Sequence, residues 1–152
     1  MACCSPAAVR VPAGSAEQRV LALSRDVRPS AQPRRAERLS AVLARDGATC
    51  TWCGRACGGQ VVPTTDHLVP KVKGGPSWLE NEVVACGRCN RERGHLSPAD
   101  WLAECERRGW EPDAAAVTRA LTALDRAVAE RGGQRRARPY LAGQLRRLAR
   151  LA

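Results

Sequence analysis

An aspartate and a histidine stand side by side at Asp66-His67, and this histidine is one of only two in the 152 residues. An imidazole titrates near neutral pH and can take a proton from water. The neighbouring carboxylate offers a hard anionic oxygen of the kind that Mg²⁺ or Mn²⁺ prefers, and Asn90 offers a second hard oxygen through its amide. An activated water and a cation at the leaving oxygen are what phosphodiester cleavage needs. Adjacent residues on a strand point to opposite faces, so Asp66 and His67 can share a site only if the chain bends there. The second histidine, His95, reads as a polar surface residue able to support a phosphate or metal contact.

Around these residues lie two CxxC pairs, Cys50-Thr51-Trp52-Cys53 and Cys86-Gly87-Arg88-Cys89. Two such knuckles can set four thiolates tetrahedrally about Zn²⁺, and a site filled by four thiolates leaves no position for water or substrate. The zinc is therefore expected to be structural, holding the 54–85 insert in shape, and any catalytic metal must sit elsewhere. The competing reading is a redox pair or a set of buried thiols. Cys57 has no partner at ligand spacing and is at most a minor competitor for the site. Cys105 falls on an apolar helical stripe and reads as core, and the adjacent Cys3 and Cys4 read as incidental.

The formal net charge is +10, carried almost entirely by arginine. Guanidinium forks match phosphate oxygens, so a polyanionic partner is expected; the plainer alternative is a solvated arginine-rich surface. Lys71, Lys73, Arg88, Arg91 and Arg93 flank the Asp-His pair as candidate phosphate contacts, which position a substrate without reading its sequence. The first thirty residues contain no apolar core of a signal peptide and no apolar run reaches the length of a membrane span. A reduced, cytoplasmic protein without membrane association is expected, and there cysteine clusters mean metal or catalysis. Aromatic residues make up 3% of the chain and phenylalanine is absent, which predicts a thin core that a metal would help to hold.

The elements that must carry these residues can be read in outline. Ser15–Asp26 can form a short helix. Ala36, Leu39, Val42 and Leu43 predict a helix over Arg34–Arg45 that stops at Gly47. Val61–Val62 and Leu68–Lys73 are expected strands, and Gly87–Arg93 a short helix. Ser97 and Pro98 open a helix with Trp101, Leu102 and Cys105 on one side. Asp113 opens another with Val117, Leu121, Leu124 and Val128 on its stripe. A last basic helix is expected from about Pro139, with Leu141, Leu145, Leu148 and Leu151 facing inward and the arginines of 131–150 on its other face.

Taken in series, Asp66-His67 with Pro70, Gly74-Gly75, Glu80-Asn81 and Cys86-Gly87-Arg88-Cys89-Asn90 resemble the core of an HNH endonuclease of the kind stapled by four cysteines. The likeness covers Cys50 to Gly94. It implies an α+β fold: a small ββα-metal core with a four-Cys zinc site, flanked by N-terminal and C-terminal helices. The division it implies is a disordered or loosely helical extension over 1–32, a nuclease core with its leading helix over 33–96, and a helical basic extension over 97–152. It further implies DNA hydrolysis, with double-stranded DNA as partner. His67 would be the general base, Asp66 and Asn90 would hold Mg²⁺ or Mn²⁺, and Cys50, Cys53, Cys86 and Cys89 would hold the zinc. Asn81 would brace the loop that carries His67. The position of Asn90 is often histidine in the family, and asparagine there favours a metal held by oxygens with few protein ligands. The alternative is a non-catalytic, zinc-containing nucleic-acid-binding module on a degenerate scaffold of the same kind; the intact set of Asp66, His67 and Asn90 favours the enzyme.

Overall fold

Between the two cysteine pairs the chain forms an antiparallel pair of strands, β1 (Pro63–His67) and β2 (Glu82–Cys86), in the register Pro63↔Cys86 to His67↔Glu82. The structure, a computed structural model, describes Met1 and residues 33–151; the expected helix over Ser15–Asp26, the Cys3–Cys4 pair and the rest of residues 2–32 lie outside the described residues. β1 is built from the β-branched Thr64 and Thr65 behind a proline, which a strand tolerates at its first residue. β2 is buried along its whole length.

The expected strands at Val61–Val62 and Leu68–Lys73 do not form. Val61 makes only an isolated bridge with Gly58, and Val62 is exposed. Leu68 and Val69 are fully buried but lie beyond the strand, and Lys71–Lys73 is a 3₁₀ turn. The ladder instead pairs the polar segment Pro63–His67 with Glu82–Cys86.

The connection from 68 to 81 is held by a close backbone approach. A Cβ on Gly75 would stand 1.8 Å from the Val69 carbonyl oxygen and 3.0 Å from the Asn81 amide nitrogen, so only glycine fits. A second 3₁₀ turn, Leu79–Asn81, then leads into β2.

Helix α1 (Arg35–Asp46) packs on both strands, with Val42 buried, Leu39 and Leu43 half-buried, and Ala36 exposed. It ends at Gly47, where φ is +81°. Helix α2 (Gly87–Arg93) starts directly after β2, and the Cys86 sulfur accepts from the Cys89 N–H at its first turn. Strand, strand and helix together make the ββα unit.

Three helices follow. α3 (Pro98–Arg107) is capped by Ser97, whose hydroxyl accepts from the Asp100 N–H. α4 (Ala114–Arg131) is capped by Asp113, whose carboxylate accepts from the Ala116 N–H. α5 (Ala137–Leu148) begins before Pro139, which sits in its first turn as proline can. Its inward face differs from expectation at two places. Leu151 lies beyond the helix and is exposed, while Gln144 is buried and accepts from the Ala99 N–H at 3.2 Å.

One hydrophobic cluster runs from Cys50 through β2 and the three C-terminal helices to Leu148. Tryptophans supply the bulk that phenylalanine would otherwise provide. Trp52 and Trp101 are fully buried, and Trp101 meets Trp110 edge to face at 6.2 Å. The fold is thus α+β, a small ββα core with a four-cysteine cluster and helices before and after it. Among the described residues no helix is long and apolar enough to cross a membrane.

The Gly75 contact generates a stability prediction. Gly75→Ala must push the Val69 carbonyl away, and overpacking of this kind costs about 1–3 kcal/mol. A denaturant midpoint equal to the parent's would show that the loop relaxes without cost.

Candidate active site

The four cysteines of the two pairs converge. Their sulfurs all lie within 4.8 Å of one another and all four residues are buried; Cys53 Sγ and Cys86 Sγ are 4.0 Å apart. Zn–S bonds of about 2.3 Å in a tetrahedron separate sulfurs by about 3.8 Å, so the four cysteines could hold a zinc ion. The first knuckle turns on the Gly54 N–H to Cys50 O bond at 2.9 Å. The Cys86 N–H donates to Cys50 Sγ at 3.2 Å, and Arg55 Nη2 lies 3.6 Å from Cys86 Sγ. Hydrogen bonding from the Cys89 thiol holds the Cys50 thiol down at about 4, and the Cys89 thiol, as the donor, is pushed up. Cys57 is half-buried beside this cluster and Cys105 is in the core. The six described cysteines form no disulfide.

Asp66, His67 and Asn90 line one open cleft of about 350 Å³ together with Thr65, Pro70, His95, Arg35, Arg38 and Lys71. A larger hollow of about 760 Å³ lies between the end of α1 and the start of α4, but it holds no imidazole or amide side chain. The side chains suited to proton transfer and to holding a hard cation line the smaller cleft.

Asp66 is 5% exposed and both its oxygens are engaged. Oδ1 accepts from Arg93 Nη1 at 2.7 Å and Oδ2 accepts from Trp52 Nε1 at 2.9 Å. Arg93, read from the sequence as a phosphate contact, is instead 1% exposed. It also donates to the backbone oxygens of His67 and Leu68, and its guanidinium lies 5.2 Å from the centre of the Trp52 ring. A buried guanidinium this closely held cannot reach a substrate. Burial pushes the Asp66 carboxyl up, against the opposing pull of Arg93 and Trp52.

His67 ends β1 directly opposite Glu82. Its Nε2 lies 3.4 Å from Glu82 Oε1, and the same oxygen accepts from Arg38 Nε at 2.7 Å. Burial holds the His67 imidazole below its ordinary pKa, with Glu82 pulling the other way. Burial thus favours the neutral ring, the form that can accept a proton.

Asn90 projects from α2 toward β1, where its amide nitrogen donates to Thr64 Oγ1 and to the Thr65 carbonyl, both at 3.0 Å. These bonds use the nitrogen and leave the amide oxygen for another partner. Asn81 is completely buried. Its Oδ1 accepts from the Val69 N–H at 2.8 Å, and its Nδ2 donates to Val69 O and Pro76 O. It clamps the loop after His67 and stands outside the cleft.

Sequence reasoning missed Arg35, Arg38, Trp52 and Glu82. The two arginines come from α1, far away in sequence. Trp52 sits inside the first CxxC pair and passes for filler between ligands. Glu82 adjoins Asn81, and only the strand register brings it to His67.

The ion pair of Asp66 with Arg93 generates a second prediction. Arg93→Met keeps the bulk but leaves a buried carboxylate without its counter-charge, a change that costs about 3–5 kcal/mol. Chemical unfolding of the zinc-loaded variant measures it; a loss below 1 kcal/mol, small against that estimate, would mean that solvent reaches Asp66.

The family model described as HNH endonuclease matches residues 50–96. The crystal structure of the Type II-C Cas9 enzyme from Actinomyces naeslundii is similar at 22% identity and a TM-score of 0.46, over 89% of this chain and 13% of that one. This chain therefore spans a small part of that protein's length. No curated protein sequence matches it. The stretch matched by the HNH endonuclease model, residues 50–96, contains the four-cysteine cluster and Asp66, His67 and Asn90.

Proposed function

We propose that the protein is a metal-dependent endonuclease that hydrolyses phosphodiester bonds in DNA, with double-stranded DNA as its substrate. The observation that carries the reading is the convergence of His67, Asp66 and Asn90 on one open cleft within a domain of this family. His67 is the general base: its neutral imidazole takes a proton from the attacking water as the water's oxygen bonds to phosphorus. Asp66 and Asn90 offer two hard oxygens, a set that suits Mg²⁺ or Mn²⁺, which keeps several waters and few protein ligands. The donors fit because a carboxylate has lone pairs beyond the two used by Arg93 and Trp52. When bound there, such a cation supplies charge stabilisation at the leaving oxygen. Arg35, Arg38 and Lys71 line the same cleft and favour a phosphate backbone over a neutral ligand. Asn81 supports the reaction indirectly by fixing the loop after His67, and Cys50, Cys53, Cys86 and Cys89 hold a structural zinc.

The second reading, a non-catalytic zinc-containing nucleic-acid-binding module, is favoured by the engagement of both Asp66 oxygens. One experiment separates the two. In a nicking assay on supercoiled plasmid with Mg²⁺ or Mn²⁺, His67→Ala is expected to lose about 10²- to 10⁴-fold in rate while zinc content and DNA affinity stay near the parent's. Asp66→Ala and Asn90→Ala are expected to raise the metal concentration needed for half-maximal rate. A His67→Ala variant as fast as the parent would remove the imidazole from the reaction, and a parent inert under every divalent metal would favour the second reading.

The zinc has its own test. One tightly held zinc per chain is expected by elemental analysis, and chelation is expected to unfold the module because metal-binding energy is folding energy in so small a core. A cooperative thermal transition unchanged after the metal is stripped would count against this role.

A further inference from the structure

The proposed reaction uses one ring nitrogen of His67, and the structure sets the other beside a carboxylate. Nε2 is buried and, among the described residues, has no hydrogen bond; Glu82 Oε2 is in the same condition. Glu82 is fully buried and its Oε1 lies 3.4 Å from His67 Nε2. Buried polar atoms are nearly always paired, and side-chain contacts of this kind often tighten only when substrate binds. The unpaired Nε2 thus stands 3.4 Å from one oxygen of a carboxylate whose other oxygen is also unpaired, which points to one interaction between the two residues.

The fold holds Glu82 in that position from three directions. Strand register sets it across from His67. Arg38 of α1 donates from Nε to Oε1 at 2.7 Å, and Arg45 of the same helix donates to the Glu82 backbone oxygen, also at 2.7 Å. Nothing in the proposed chemistry requires an acid at this place. Its neighbours in β2, Val83, Val84 and Ala85, are apolar and buried, and an apolar residue would fit the same strand. Burying a carboxylate is costly even beside a guanidinium, and Arg38 engages only one of its two oxygens, so this acid needs a further reason.

We infer that Glu82 is the positioning residue of His67, its carboxylate accepting the Nε2 proton so that the imidazole presents the Nδ1 lone pair to the attacking water. The inference rests on the reading of His67 as the proton acceptor. A neutral imidazole carries one proton on either nitrogen, and the partner of one nitrogen decides which form is present. With Nε2–H facing Glu82, Nδ1 can take the proton that the water gives up as its oxygen bonds to phosphorus and the P–O bond to the leaving oxygen breaks, its electron pair going to that oxygen. The resulting imidazolium then has its Nε2–H directed at a carboxylate.

The test has one arm that needs no activity. In protein labelled with ¹⁵N-histidine, the ring-nitrogen shifts of His67, assigned by difference from His67→Ala, are expected to report the Nε2–H form. Glu82→Leu is expected to mix the two forms and to lower the single-turnover cleavage rate by on the order of 10- to 100-fold, the usual cost of removing an orienting partner. Half-saturating DNA concentration and zinc content are expected to stay at the parent's values, which a merely structural role would not predict. An Nδ1–H form in the parent overturns the proposal, whether or not Glu82→Leu folds. So does a zinc-loaded Glu82→Leu that cuts at the parent's rate. If the parent cuts nothing, the nuclease reading fails separately, and the parent's ring form still decides whether Glu82 orients His67.

Discussion

Four sulfur atoms gathered within 4.8 Å impose the constraint on which the rest of the structure depends. Thiolates packed this closely repel one another, and protonated thiols are weak hydrogen-bonding groups. Only a cation at their centre lets all four be charged and buried together. The cluster closes the 54–85 insert into a loop and thereby removes much of the freedom that β1, β2 and their long connection would otherwise have. It also belongs to the hydrophobic core itself. Cys50, Cys53, Cys86 and Cys89 lie in the same continuous cluster as Trp101, Leu121 and Leu141, so the C-terminal helices pack on the cysteine cluster and share its core.

The parts of the molecule legible in the sequence are those with strong local signals. Two CxxC pairs announce a metal cluster whatever lies between them. Ser97-Pro98, Asp113 and Gly47 mark helix ends because caps act through their own backbone neighbours, and the stripe Val117, Leu121, Leu124 and Val128 lies on the buried face of α4. The strands were misplaced because their pairing is long-range. Pro63–His67 has little apolar character, and it becomes a strand because Glu82–Cys86 lies beside it. The same cause hid half of the cleft. Asp66, His67 and Asn90 are conspicuous as residue types, whereas Arg38 and Glu82 become relevant only through packing of α1 on the hairpin.

Arginine does much work here that net charge does not describe. Each of the four tryptophans has a guanidinium within 5.2 Å of its ring: Arg93 over Trp52, Arg131 over Trp78, Arg108 over Trp101, and both Arg88 and Arg108 over Trp110. Planar cations on flat rings extend a core that has few large side chains, and their stems bury apolar surface. Arg147 is paired with Asp100, tying α5 to the start of α3, and Arg131 with Glu80, tying α4 to the 3₁₀ turn before β2. The exposed pairs are individually weak, but they occupy cations. The count of 25 lysines and arginines therefore overstates the cations that stand free of an acidic partner.

Trp52 joins the two halves of the molecule's chemistry. It lies between Cys50 and Cys53, so its backbone follows the sulfur cluster, while its indole N–H ends on Asp66 Oδ2. A spacer residue in a CxxC pair is ordinarily free to vary, because only its neighbours touch the metal. Here the spacer is held at both ends. A redesign of the knuckle that preserved every ligand but replaced the indole would leave the metal cluster whole and the carboxylate in the cleft with one donor fewer. Position 52 is therefore bound by two sets of requirements at once, and the staple and the cleft cannot be exchanged between proteins as separate parts.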